Sequence, residues 1–304
     1  MAAIGRITDA VAGGEALHRA RQRAALLPDL LVEARRVSAS VATGWHGRRR
    51  RGTGENFWQF RPFVDGEQVS RIDWRRSARD DNVYLRDREW EAAQTVWLWA
   101  DPSPSMLYQS GTGLVSKESR ALVLVLALAE LLARSGERIG YPGVMAPVSA
   151  RNAAERIAAA LQTNRPAGGF PATDRLKRFS EIVLVGDFLD PIEDLVERID
   201  RLAKQGVRGH IVQVADPAEV AFPYSGRTEF QDPETGAKLT AGRAETLRDL
   251  YRDAFEARRQ VLGEHCRRLG WSHVFHATDR LASEPLVAVR GHLSGQPQSM
   301  KARA

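Results

Sequence analysis

Two short stretches of this chain place oxygen-bearing side chains where an apolar segment ends. Asp101-Pro102-Ser103-Pro104-Ser105 follows the apolar run from Thr95 to Ala100, and Asp187-Phe188-Leu189-Asp190 follows the run from Glu181 to Gly186. Asp-x-Ser-x-Ser sets one carboxylate and two hydroxyls at alternate positions, which turns three oxygens toward one point on a loop leaving a strand. Hard divalent cations such as Mg²⁺ take oxygen ligands and usually keep several waters. Asp101, Ser103, Ser105 and Asp187 therefore make an incomplete oxygen shell, with a place left for an acidic group from a partner. A plainer reading stands beside it: Asp101 and the serines cap the following turn through side chain-to-backbone hydrogen bonds. Pro102 and Pro104 stiffen the loop under either reading.

The elements that must position these residues follow from the pattern of apolar side chains. Thr95–Ala100, Arg138–Tyr141, Glu181–Gly186, His210–Ala215 and Ser272–His276 read as strands, several of them continuous apolar runs of the kind covered on both faces. Between them lie helical patterns at 116–134, 152–162, 192–204 and 243–269, the third opened by Pro191 and closed by Gly206. Strands alternating with helices of this length imply a doubly wound, mostly parallel α/β sheet. In such sheets ligands sit beyond the carboxyl ends of the strands, where both acidic stretches lie. A short β-hairpin is inserted around Asp232-Pro-Glu-Thr-Gly236. Before the sheet, alternating aromatic segments at 55–61 and 83–89 predict a small β-containing region. The organisation expected is a helical extension over 1–29, the β-containing region over 30–92, the α/β domain over 93–292 and a polar tail over 293–304.

Composition removes several classes of function. The 304 residues are 43% hydrophobic and 27% charged, ordinary for a globular protein. The single cysteine, Cys266, excludes an intramolecular disulfide and a cysteine-rich zinc site. The most apolar run, 121–133, has thirteen residues and contains Glu130, short of the roughly 20 that a membrane span needs. Residues 1–20 scatter charges without an apolar stretch, so no signal peptide is expected and a cytoplasmic location is the expectation. Gly-rich stretches at 52–54 and 110–114 lack the Lys-Ser/Thr of a phosphate loop, so no nucleotide cofactor is expected. No Gly-x-Ser-x-Gly elbow marks a serine hydrolase.

The net charge is +6, with 44 basic residues of which only five are lysine. Between Arg19 and Arg79 fourteen arginines face six acids, and Arg48, Arg49, Arg50 and Arg51 run unbroken. With Trp45, Phe57 and Trp58 nearby, this segment supports an alternative function as a nucleic-acid-binding protein, whose affinity would fall with salt. A solvated loop is the plainer reading. A second alternative is a metal-dependent hydrolase on the same acids, with Asp190 as the available general base. Asp73, among Arg71, Arg75, Arg76 and Arg79, reads as a structural ion-pair centre with Trp74 as its apolar anchor.

The stretch from Arg61 through Val64-Asp65-Gly66-Glu67 to Arg71-Ile72-Asp73-Trp74-Arg75-Arg76-Ser77-Ala78-Arg79, with Gly52-Thr-Gly54-Glu55-Asn-Phe57 before it and the Asp-x-Ser-x-Ser-Met strand end after it, resembles the signature of the bacterial family called domain of unknown function 58. The likeness covers about residues 30–290. It implies a von Willebrand factor A-like domain whose metal-ion-dependent adhesion site (MIDAS) uses Asp101, Ser103 and Ser105 to hold Mg²⁺, for which Mn²⁺ can substitute. It further implies Asp187 as the aspartate after the next strand and Thr173 as the available threonine. Such proteins are commonly encoded beside MoxR-type AAA+ ATPases, so the resemblance implies a non-enzymatic interaction module whose partner is such an ATPase or the protein it remodels. Many relatives carry two membrane helices near the N-terminus; this chain resembles the short form without them.

Overall fold

The computed structural model describes residues 25–42, 51–52, 56–64, 69–79, 82–89, 94–164 and 169–294. Its contacts divide the chain into a small unit, residues 45–93, and a large unit made of the rest.

Helix α1 covers 25–42 and buries Leu27, Leu30, Ala34, Ser38 and Val41, the stripe of a helix with one packed face. Arg35 on its outer side reaches Glu130 at 3.2 Å and also pairs with Glu155, while Arg290 donates to the Val41 carbonyl at 2.5 Å. The helix thus belongs to the large unit. The boundary expected at residue 30 lies instead near 44–45, because the apolar period runs straight across it. Most of the extension expected over 1–29 lies outside the described residues.

The small unit holds β1 (Arg51–Gly52), β2 (Asn56–Pro62), the one-turn helix α2 (Trp74–Ser77) and β3 (Tyr84–Glu89), with strand order β1-β3-β2, all antiparallel. Asp73 works here as a cap: its carboxylate accepts the Arg76 backbone N–H at 3.0 Å. Ser77 then stitches the turn to the strand, donating to the Asp73 carbonyl at 2.9 Å and accepting from the Tyr84 N–H at 2.8 Å. Two expectations are corrected. Among the described side chains Asp73 forms no ion pair; the Arg76 guanidinium lies instead over the Tyr84 ring at 4.9 Å and the Phe60 ring at 6.0 Å. Trp74 is no apolar anchor, for it is 63% exposed: a single helical turn with no buried residue has no inner face to offer it.

In the large unit β4 (Thr95–Ala100) leads through helix α3 (Lys117–Arg134) to β5 (Arg138–Tyr141) and β6 (Met145–Val148), then through α4 (Ala153–Thr163) to β7 (Glu181–Gly186). The chain continues with α5 (Ile192–Lys204), β8 (Arg208–Ala215), α6 (Pro217–Ala221), the hairpin β9 (Thr228–Gln231) and β10 (Lys238–Ala241), α7 (Arg248–Arg268), β11 (Ser272–Ala277) and α8 (Ser283–Leu293). Six strands form one sheet in the order β11-β8-β7-β4-β5-β6, parallel throughout except for the edge strand β6. This is the doubly wound α/β arrangement expected, of the Rossmann or von Willebrand factor A type. All six residues of β7 are buried, as a central strand must be when both faces are covered. Helix α3 buries sixteen of its eighteen residues, so its nearly continuous apolar sequence reflects its depth in the fold.

Topology decides where a ligand can sit. From β4 the chain crosses to β5 on one side, and later returns to β7 on the other. The sheet order therefore reverses between β4 and β7, which opens a crevice beyond their carboxyl ends. Those two strands pair from Val96↔Glu181 to Ala100↔Val185, bringing Asp101 and Asp187 side by side.

Candidate functional site

The end of β4 is held from both sides. The buried Tyr141 hydroxyl donates to the Ala100 carbonyl at 3.0 Å, and the Asp101 N–H continues the ladder to the Val185 carbonyl at 2.8 Å. The chain then turns. Asp101 Oδ1 accepts the Ser103 N–H at 2.9 Å, and the Ser103 and Ser105 hydroxyls lie 3.0 Å apart. Pro104 opens a 3-10 turn through Leu107 that points Ser105 inward. The capping reading of Asp101 is thus realised, and it uses one carboxylate oxygen.

The end of β7 carries backbone strain. Phe188 has φ of +53°, a conformation that side-chain-bearing residues rarely adopt and that tends to mark functional sites. Arg258 from α7 holds this turn, donating to the Phe188 carbonyl at 2.6 and 3.1 Å and to the Asp190 carbonyl.

A cavity of about 220 Å³ opens between the two strand ends, lined by Asp101, Ser103, Pro104, Gly169, Asp187, Asp190 and Glu234. Asp101 is only 7% exposed, and Ser103 is the sole hydrogen-bond partner of its carboxylate among the described residues. Burial pushes its carboxyl up to about 7, reinforced by the nearby charges of Asp187 and Asp190 and opposed by the hydrogen bonds from Ser103. A buried carboxylate with no counter-cation is one whose ionised form needs a positive charge from elsewhere.

Asp187 has its cation. Lys117, 1% exposed at the first turn of α3, donates to Asp187 Oδ2 at 2.8 Å and to Glu219 Oε1 at 2.5 Å. Burial acts to lower the Lys117 pKa, but the two carboxylates outweigh it and raise the pKa above the usual lysine value. Glu219 in turn closes the capping box of α6: it accepts the Asp216 N–H at 2.8 Å, while Asp216 accepts from Ala218. Lys117 was not singled out by motif. The signal for it is compositional. In a chain with 39 arginines, one of only five lysines sits at the start of the deeply buried α3, where it presents a compact ammonium to two carboxylates.

Of the residues expected at the site, Asp101, Ser103, Asp187 and Asp190 line the cavity; Ser105 does not line it, but its hydroxyl lies 3.0 Å from that of Ser103. Thr173 is half-buried, its carbonyl accepts the Leu176 N–H at 3.0 Å, and it does not line the cavity; its segment contributes Gly169 instead. Glu234, from the hairpin turn, is, with Lys117, a residue that motif reasoning missed. Arg48, Arg49 and Arg50 and the side chains of Arg51, Arg61 and Arg71 lie outside the described residues, as do the side chains of Phe57 and Trp58. Trp45 also lies outside them.

The donor set fits a hard cation by its chemistry, since every polar group offered to the cavity by a side chain is an oxygen. Among the described residues, no three carboxylates, imidazoles or thiols come close enough to cage a metal by themselves. A cation here would rest on a carboxylate, hydroxyls and water, with Asp101, Ser103 and Ser105 as the direct set and Asp187 shared with Lys117.

Sheet order and strand-end acids define the class: a doubly wound α/β domain with an oxygen-lined crevice at its switch point. The chain belongs to the family described as protein of unknown function DUF58, whose model matches residues 59–261. Uncharacterized proteins of Mycobacterium bovis and Mycobacterium tuberculosis are each 27% identical over 295 residues, covering 88% of this chain and 92% of theirs. Among solved structures, the conserved hypothetical protein BatB from Bacteroides thetaiotaomicron is 15% identical with a TM-score of 0.39, covering 67% of this chain and 98% of that one. An aerotolerance-related membrane protein from Bacteroides fragilis is 13% identical with a TM-score of 0.40, covering 67% and 100%. No helix among the described residues is long and apolar enough to cross a membrane.

Proposed function

We propose that this protein is a non-enzymatic interaction module that holds a divalent cation, Mg²⁺ or Mn²⁺, at the β4/β7 crevice and uses it to engage an acidic group of a partner protein. The observation that carries this reading is the Asp101 carboxylate: buried, without a counter-cation among the described residues, and lining a cavity beside the Ser103 and Ser105 hydroxyls. When bound, the ion supplies a Lewis-acidic centre that attracts a carboxylate. Asp101 would hold it directly, Ser103 and Ser105 would offer hydroxyl oxygens, and Asp187 would act from the outer side while anchored by Lys117. The two prolines and Arg258 keep the loops in place, so little ordering accompanies binding.

The partner that the family resemblance favours is a MoxR-type AAA+ ATPase or a protein that such an ATPase remodels. Copurification of the full chain with the ATPase tests this, in Mg²⁺ and in excess EDTA, alongside Asp101→Ala. The complex should form in Mg²⁺ and be lost with chelator or with the variant. Capture that persists unchanged in EDTA sinks the cation mechanism. The hydrolase alternative would need Asp190 as a free base; its carboxylate already faces Arg198 at 3.4 Å.

A further inference from the structure

The β9–β10 hairpin belongs to no other sheet, and residues 231–240 are all exposed. Its root is nonetheless fixed. Phe230 stacks on Phe222 with ring centroids 5.6 Å apart and meets Tyr224 edge-on at 5.2 Å. Tyr224 in turn shares a 2.5 Å hydrogen bond with Tyr108, just beyond the turn that carries Ser105.

The turn at the far end is equally well built. Asp232 accepts the Glu234 N–H at 2.9 Å and the Thr235 hydroxyl at 2.5 Å, and its carbonyl accepts the N–H of Gly236, whose φ of +73° closes the turn. This construction sends Glu234 alone to the cavity. There it joins Asp101, Asp187 and Asp190 on the lining.

A hairpin that merely connected α6 to α7 would not need to aim a carboxylate at three others. We propose that Glu234 is a built-in stand-in for the partner: it occupies the mouth that a partner's acidic group must enter, and engagement requires it to withdraw. The inference rests on the cation-and-acid reading above. It makes the hairpin a threshold, so that a weakly acidic or poorly fitting group does not displace Glu234 and a well-presented carboxylate does. Removing the Glu234 charge then strengthens capture of any carboxylate at the crevice.

The test uses the full chain loaded with Mn²⁺ and titrated with acetate, read through water-proton relaxation, which falls when a carboxylate replaces water on the ion. For Glu234→Gln the half-displacing acetate concentration should drop about three- to tenfold, the effect of removing one like charge at short range under salt screening. Glu229→Gln removes an equal charge from the same hairpin, at a site paired with Lys238, and should leave the midpoint in place. Equal midpoints for wild type and Glu234→Gln, or an equal shift for Glu229→Gln, overturn the stand-in while leaving the cation site intact. Failure of both wild type and Glu234→Gln to bind Mn²⁺ overturns the cation reading itself, and the stand-in falls with it.

Discussion

Lys117 Nζ lies 2.8 Å from Asp187 Oδ2, so one of the two strand-end aspartates is neutralised from within, while its neighbour Asp101 has no cation partner among the described residues. The chain thus supplies one buried ammonium, shared by Asp187 and Glu219, and among the described residues none to Asp101. This asymmetry governs what each substitution should do.

Lys117→Met leaves Asp187 and Glu219 buried without their ammonium. Breaking a buried ion pair on one side costs about 3–5 kcal/mol, so urea unfolding should show a loss of that size. In the same variant the affinity for Mn²⁺, measured by electron paramagnetic resonance, should rise, because Asp187 is released toward the crevice. A variant as stable as the wild type would show that the pair is incidental.

Asp101→Asn keeps the shape and removes the uncompensated charge. In EDTA the variant should be more stable than the wild type by about 1–3 kcal/mol. Excess Mn²⁺ should raise the melting temperature of the wild type, by binding the folded state, and leave that of the variant unmoved. Equal metal responses would place the ion elsewhere.

Much of this architecture is legible in the sequence because burial and pattern coincide. β4, β5, β7 and α5 begin and end where their apolar runs and flanking Pro and Gly residues place them. β6 is hidden, since Met145-Ala-Pro-Val148 is short and contains Pro147, which a strand accepts at a sheet edge. α8 is hidden because Pro285 and Gly291 interrupt its pattern, and tertiary packing of Leu286 and Val289 overrides them. At the site, Asp101, Ser103, Ser105 and Asp187 are readable because strand-end position is a topological rule. Lys117 and Glu234 are not, for their roles depend on where a helix start and a hairpin tip arrive in space. Trp74 shows the converse error: an aromatic residue inside a strong motif need not be buried.

Two buried histidines make acid destabilising below about pH 6.5, opposed in part by Asp101, whose raised carboxyl pKa of about 7 favours the folded state as pH falls. Burial lowers the pKa of His273 to about 4 and of His276 to about 3, with Arg259 adding to the first and Arg120 and Arg280 to the second. Both imidazoles ionise in the unfolded chain near pH 6.5. As pH falls below that value the unfolded state takes up protons that the folded state refuses, so stability declines down to about pH 3. Together the two histidines should account for a few kcal/mol, roughly, of that decline. His276→Gln should flatten the slope of unfolding free energy between pH 6 and 4; an unchanged slope would assign the acid sensitivity to other groups.

Gly186, the last residue of β7, tests whether the crevice depends on close packing of its own walls. A methyl group built there would lie 2.8 Å from Asp101 Cβ and 3.1 Å from its Oδ2, inside the distance that side chains tolerate. Its backbone shows no left-handed φ, so the glycine is required for space rather than for conformation. Gly186→Ala must push the Asp101 side chain off β7 or part the two strand ends, at a cost of about 1–3 kcal/mol. Because the displaced group is the carboxylate proposed to meet the cation, Mn²⁺ affinity should fall more than stability alone would explain. Ala at Gly111, where nothing lies within 4 Å, is the matched control and should alter neither. If Gly186→Ala binds Mn²⁺ as the wild type does, then Asp101 can move freely and the preformed crevice is not what holds the ion.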